Sequence, residues 1–412
     1  MRKNTIILLL LFVSINLSAL TFEHYFTDKT LRLDYIFSGN ADKQWIALDK
    51  LNTMSKWYGK RKHLAEVPIQ GNGQIIVKAK NSNQVIYRNS FSTLFQEWIT
   101  YDEAKTITRS FENVFLVPMP KDTVNITVEL YNNRHQTIAT MTHRVVPSDI
   151  LIHEIGQTPT PYVTLQKAAD SQHCINIAYL AEGYTAEELQ SFIDDANIAM
   201  EALFAHEPFS SRRQLFNVVA VCAYSEESGT SEPSKGIWKN TALGSHFDTF
   251  YSDRYLTTLN LKRMHDLLAG TPYEHIIVLV NTDKYGGGGI LNSYNLSMTH
   301  HEKFRPVVVH EFGHSFAGLA DEYAYESEDL DAYPLDIEPW EENITIHNDS
   351  LSKWHDMVTD SIPNIGYYEG AGYRTKGMYR PSHDCRMRTN ENPTFCAVCQ
   401  RAIINIIDFY TK

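Results

Sequence analysis

The chain is short of several things, and each shortage excludes something. Five cysteines in 412 residues are too few for a disulfide-scaffolded fold, so a hydrophobic core must carry stability. The longest uninterruptedly apolar run, Ile6 to Val13, falls well short of the roughly 20 residues that cross a bilayer; no membrane-spanning segment is expected. Basic charge is also scarce. With 37 Lys and Arg against 49 Asp and Glu, the formal charge is -12, which argues against non-specific capture of nucleic acid or anionic lipid. There is no solenoid-like repeat, and low complexity is confined to Gly286–Gly289.

What is present is ample apolar material for two or three domains. Residues 1–19 stand apart: Arg2 and Lys3 precede the apolar run, and Leu17-Ser18-Ala19 provides a small-residue cleavage signature. This reads as a signal peptide, with a mature chain from Leu20 exported to the periplasm, the cell surface or the medium. An exported chain permits disulfides, and five cysteines allow two with one thiol left over. Cys385, Cys396 and Cys399 cluster near the C-terminus; a lone C-x2-C beside a third cysteine is weak evidence for a structural zinc, which needs a fourth ligand.

From residue 20 to 146 the hydrophobic pattern alternates in short runs, as in Thr30–Phe37, Gln74–Val77, Val85–Tyr87, Val114–Val117, Val124–Tyr131 and Ile138–Val145. That rhythm predicts an antiparallel β-sandwich used for packing or substrate presentation. Pro147, Gly156, Pro159 and Pro161 mark residues 147–171 as a linker and domain entry. Over 172–412 strands alternate with helices: Cys174–Leu180, Phe216–Tyr224 and His275–Val280 read as strands, Thr185–Phe204 as a helix opened by a Thr185/Glu188 capping box, and Ser252–Leu268 as a second helix. The expected fold is multidomain, a β-sandwich followed by an α/β (α+β) catalytic domain.

The chemistry lies in His310-Glu311-Phe312-Gly313-His314, entered through Val307-Val308-Val309. Residues four apart on a helix share a face and rise about 6 Å, so both imidazoles can reach one zinc ion while Glu311 serves beside it as a base for water. Gly318 permits a turn that returns a carboxylate to the metal; Asp321 is the first choice as third ligand and Glu322 the alternative. Tyr379 and His383 are candidate donors to a developing oxyanion. The strand ending in Gly286, Gly287, Gly288 and Gly289 is a candidate substrate-binding edge, since bare backbone can pair with an extended peptide. Acidic residues from Asp321 to Glu342 could hold a structural Ca2+, although they do not follow an EF-hand pattern.

The run His310–Tyr323, H-E-F-G-H-S-F-A-G-L-A-D-E-Y, resembles the signature of the secreted bacterial metallopeptidase family named for immunoglobulin A peptidase. Gly183-Tyr184-Thr185, Tyr285–Gly289 and Asp384–Asn390 are similar to that family as well. The resemblance implies a metzincin-like zinc peptidase with His310, His314 and Asp321 as ligands, Glu311 as base and Met387 as the methionine beneath the metal. It also implies protein or peptide substrates, with host immunoglobulin or mucin-like glycoproteins conceivable targets. In the common metzincin string the glycine and third ligand each stand one residue earlier than Gly318 and Asp321 do here. Two other functions fit the residues: an exported protein- or glycan-binding factor with a structural metal, and a zinc amide or ester hydrolase.

Overall fold

The computed structural model describes residues 21–325 and 333–412; the signal-peptide segment and part of the acidic stretch after Asp321 lie outside them. After a single turn of helix, α1 (Phe22–Tyr25), seven strands follow: β1 (Phe26–Gly39), β2 (Gln44–Met54), β3 (Gly73–Ala79), β4 (Val85–Phe91), β5 (Arg109–Pro120), β6 (Val124–Tyr131) and β7 (Thr137–Val145). They form two four-stranded sheets, β5-β1-β2-β8 and β4-β3-β6-β7, in which β8 is the short His153–Glu154. Except for the β2–β8 pair, neighbours run antiparallel. Inward aromatics such as Tyr35, Phe37, Phe91 and Phe115 fill the space between the sheets. The alternating runs therefore make the expected sandwich. A short helix, α2 (Leu94–Trp98), capped by Thr93, leads into β5.

The stretch read as a linker is not structureless. β8 pairs with the sandwich, whereas β9 (Tyr162–Gln166) pairs with the following sheet. That sheet has the order β13-β14-β12-β10-β11-β9, with β10 (Ile175–Glu182), β11 (Phe216–Val221), β12 (His275–Val280), β13 (Gly287–Ile290) and β14 (Tyr294–Met298). β11, β10, β12 and β14 run parallel, and β13 closes one edge antiparallel to β14. A helix α3 (Leu189–Phe204) joins β10 to β11 and begins behind the Thr185/Glu188 capping box, in which the Thr185 N–H donates to Glu188 Oε2 at 2.8 Å.

The central strands β10, β12 and β14 are buried at every position because both faces of this sheet are covered. Ile175, Ile177, Tyr179 and Ala181 face a core shared with α3, α5 (Phe304–Ala317) and α7 (Ala397–Thr411), whereas Ala178, Leu180, Val219, Val221, Ile276 and Val278 face the sandwich and α4 (Leu261–Leu268). Only the last part of the expected Ser252–Leu268 helix is helical: Tyr255 and Thr257 instead form bridges to Gly287 and His246 ahead of α4. The domains are joined by buried polar contacts as well. Arg32 of β1, 1% exposed, bonds Asp34 and, across the seam, Asp266 of α4, each at 2.7 Å.

Beyond α5 come a five-residue helix, α6 (His355–Thr359), and a hairpin of β15 (Tyr368–Ala371) and β16 (Arg374–Arg380). All five cysteines are thiols, and the C-terminal three converge while Cys174 and Cys222 do not join them. The two disulfides allowed by the sequence do not form.

Candidate metal centre

The pentad His310–His314 lies inside α5, most of whose residues are buried because it packs between the sheet and α3 and α7. Phe312 and Phe316 stack at 5.0 Å on the side facing the core, and this fixes the opposite side, carrying His310 and His314. Gly318, at φ +58°, ends the helix in the left-handed conformation, its N–H and that of Leu319 donating to the carbonyls of His314 and Gly313. A Cβ there would sit 2.8 Å from Trp340 and 3.2 Å from Ile69 of the sandwich, so the turn needs glycine for both conformation and space. The chain then runs back along the helix and brings Asp321 to the imidazoles.

The ring nitrogens decide what this cluster can do. His310 Nδ1 lies 3.0 Å from the Arg386 carbonyl, and His314 Nδ1 2.5 Å from the Leu319 carbonyl. A carbonyl only accepts, so each Nδ1 carries the proton and each Nε2 presents a lone pair. These two Nε2 atoms are 3.0 Å apart, with Asp321 Oδ1 at 3.0 and 3.3 Å. Two lone pairs and a carboxylate aimed at one point repel unless a cation stands among them, and the set suits a divalent ion that takes nitrogen and oxygen ligands with one position open. Without such an ion a proton substitutes. Burial disfavours charge on His314, yet Asp321 overrides it and lifts the imidazole to about 9; burial would raise Asp321, but the two imidazoles hold it well below the usual carboxylate range.

Glu311 sits beside the cluster against β13. Burial pushes its carboxyl above the ordinary value, opposed by His310 and His314. The glycines of β13 are explained by this approach. A Cβ on Gly287 would lie 2.7 Å from Glu311 Oε1, and one on Gly289 2.4 Å from the Glu311 carbonyl oxygen and 2.9 Å from His314 Cβ. Gly286 and Gly288 are similarly pressed against Phe247 and Tyr255. Their outer edge is not fully free, since Gly287 forms a bridge with Tyr255. Met387 is fully buried, and its Sδ would lie 2.7 Å from a Cβ on Gly313, between the two histidines of α5.

Other expected residues fall elsewhere. The Glu322 carboxylate turns away from the histidines, accepting from Asn343 at 3.0 Å and from the Cys399 thiol at 3.1 Å, because neighbouring side chains on an extended segment face opposite ways. Tyr379 hydrogen-bonds Asn348, and His383 is exposed beside the Tyr368 ring; neither joins the cluster. Of the acidic residues considered for Ca2+, Glu338 pairs with Lys353 and Glu341 accepts from Tyr333. Among the described residues they form no converging set of their own. A residue that the sequence did not flag is Tyr373, in the turn between β15 and β16, whose hydroxyl donates to Asp321 Oδ2. No spacing links it to the helix, and only the hairpin brings it there.

A family model described as IgA Peptidase M64 matches residues 163–365 and 360–407, and a second, Peptidase M64 N-terminus, matches residues 21–142. The chain belongs to the IgA Peptidase M64 family. As an M64 peptidase it is a zinc-dependent endopeptidase, a hydrolase acting on protein or peptide, built from an N-terminal β-sandwich and an α/β catalytic domain. Membership sets aside a binding-only role and a non-peptide substrate class as the primary activity. No curated protein matches the chain. Among the described residues no helix is long and apolar enough to cross a membrane.

Proposed function

We propose that His310, His314 and Asp321 hold the zinc ion of this M64 peptidase and that Glu311 is its general base, in a metzincin-like arrangement with Met387 beneath. The observation that carries this reading is the convergence of both His Nε2 atoms and Asp321 Oδ1 within 3.3 Å of one another. Zinc bound there would supply Lewis acidity, easing deprotonation of water and drawing electron density from the scissile carbonyl.

The protein's own groups do the rest. The Arg386 and Leu319 carbonyls lock the imidazoles in the tautomer that can ligate, and Tyr373 holds the second Asp321 oxygen. Glu311 takes the water proton on a carboxylate oxygen and returns it to the departing peptide nitrogen; burial, by raising its pKa, strengthens it as a base. β13, held against Glu311 by its glycines, is the segment along which an extended peptide would lie, beyond the Gly287–Tyr255 bridge.

The test is Glu311→Gln. The variant should bind zinc as wild type does while cleavage of a broad protein mixture, read as new peptide termini, falls at least ~10³-fold. Cleavage at the wild-type rate would remove Glu311 from the reaction. The same termini, collected from immunoglobulin A and from mucin-type glycoproteins, test the narrower proposal that a host glycoprotein is the substrate. We also propose residues 1–19 as a cleaved export signal and 20–146, 147–171 and 172–412 as sandwich, connection and catalytic domain. N-terminal sequencing of the chain recovered outside the cytoplasm should begin near Leu20.

A further inference from the structure

Behind the His–Asp cluster lies a second convergence of ligand atoms. Cys385, Cys396, Cys399 and Glu322 each place one Sγ or carboxylate oxygen within 4.8 Å of all the others. They come from three segments. Glu322 follows Asp321 in the returning strand, Cys385 precedes Met387 by two residues, and Cys396 and Cys399 span the N-cap and first turn of the 15-residue α7.

We propose that this cluster is a second, structural zinc site, closed by three thiolates and the Glu322 carboxylate. A tetrahedral zinc with Zn–S bonds of about 2.3 Å sets its sulfurs about 3.8 Å apart and a sulfur and a carboxylate oxygen about 3.5 Å apart. Cys385 and Cys399 Sγ are 3.7 Å apart, and Cys399 Sγ lies 3.1 Å from Glu322 Oε1. A second observation points to a ligand. Glu322 is fully buried, and its Oε2 has no hydrogen-bond partner, an expense that a bound cation removes.

Two backbone features would stabilise negative charge on sulfur here. The Cys396 backbone N–H donates to Cys385 Sγ at 3.2 Å, and the N-terminus of α7 directs its dipole at Cys396. Soft sulfur ligands select zinc over Mg2+ and Ca2+, and the carboxylate disfavours Cu(I). With four protein ligands no position is open for water, so the site is structural. On binding, the thiols lose their protons to solvent as the metal–sulfur bonds form. The ion would tie together the Asp321–Glu322 segment, the Met387 turn and α7. Glu322 N–H already donates to the Met387 carbonyl at 2.8 Å, so the second site would set both the third ligand and the methionine of the first.

The test compares the full-length exported wild type with His310→Ala/His314→Ala and with Cys399→Ser. Mass-spectrometric metal analysis should give about two zinc ions per wild-type chain and about one in either variant. After cobalt exchange, the His double variant should retain a strong sulfur-to-cobalt charge-transfer band, even if Cys399→Ser proves too unstable to purify. One zinc in wild type that disappears with the two histidines, or a non-reduced mass two hydrogens short, would overturn the second site and leave the catalytic assignment intact. Two zinc ions retained after loss of both histidines would overturn the catalytic assignment instead, and support this one.

Discussion

Asp321 and Glu322 are chain neighbours with opposite surroundings. Asp321 faces two imidazoles and a tyrosine hydroxyl, while Glu322 faces three sulfurs and an amide. As proposed metal sites, the first offers three ligands and leaves a position open, and the second offers four and leaves none. On the assignments proposed above, one extended segment serves chemistry on one side and rigidity on the other, and the difference comes from the two-residue alternation of side chains along it.

The sharpest way to break this contrast is to exchange the losses. Asp321→Ala should lower kcat/KM by ~10³-fold or more, since it removes the proposed third ligand. Glu322→Ala should cost ~10–100-fold, acting through placement, together with a lower Tm; equal losses from both would erase the distinction. Next is Gly289→Ala, whose added methyl meets the Glu311 carbonyl oxygen at 2.4 Å. It should destabilise by about 1–3 kcal/mol in denaturant titration and depress kcat, because β13 must withdraw from α5. Tyr373→Phe should leave folding unchanged and reduce kcat/KM by ~10-fold, the effect of freeing one Asp321 oxygen.

The smallest effect lies at the seam between the domains. Tyr255 donates to Glu97 at 2.6 Å, and burial lifts the Glu97 carboxyl to about 7. Its unfolded value is about 4.3. Because the folded value is the higher one, this contribution is complete below about pH 4 and is lost as pH rises through about 7, an amount of about 1–2 kcal/mol after discounting for partial exposure. Glu97→Gln should flatten the fall in Tm over that interval. An unchanged slope would assign the pH dependence to other groups.

What the sequence could disclose follows the range of the interactions involved. The alternating strands of the sandwich, the capping box before α3 and the pentad on α5 are local patterns, and all three were readable. β2 was not, because residues 44–50 have no buried face. The Ser252–Leu268 reading failed where Tyr255 and Thr257 are drawn into bridges with Gly287 and His246, partners distant from the helical pattern. At the site, the sequence already ranked Asp321 ahead of Glu322, but where the Glu322 carboxylate turns instead depends on which way the returning strand faces. Tyr373 and Asn343 are recruited by tertiary contacts with no fixed spacing. The third cysteine and the carboxylate that complete the thiol cluster are separated by 63 residues, Glu322 to Cys385, which is why a lone C-x2-C said so little.

The sheet that carries the catalytic helix on one face rests its other face on the sandwich, and the buried residues on that side form one cluster reaching from Phe22 to Leu296. Sequence comparison divides the chain into two modules near residue 142, but thermodynamics has no such division to respect. A fragment starting at residue 163 would present to water a wall of valines, leucines and isoleucines, and should aggregate. The intact chain, by contrast, should melt in one cooperative transition. Here the inherited module is smaller than the unit that folds.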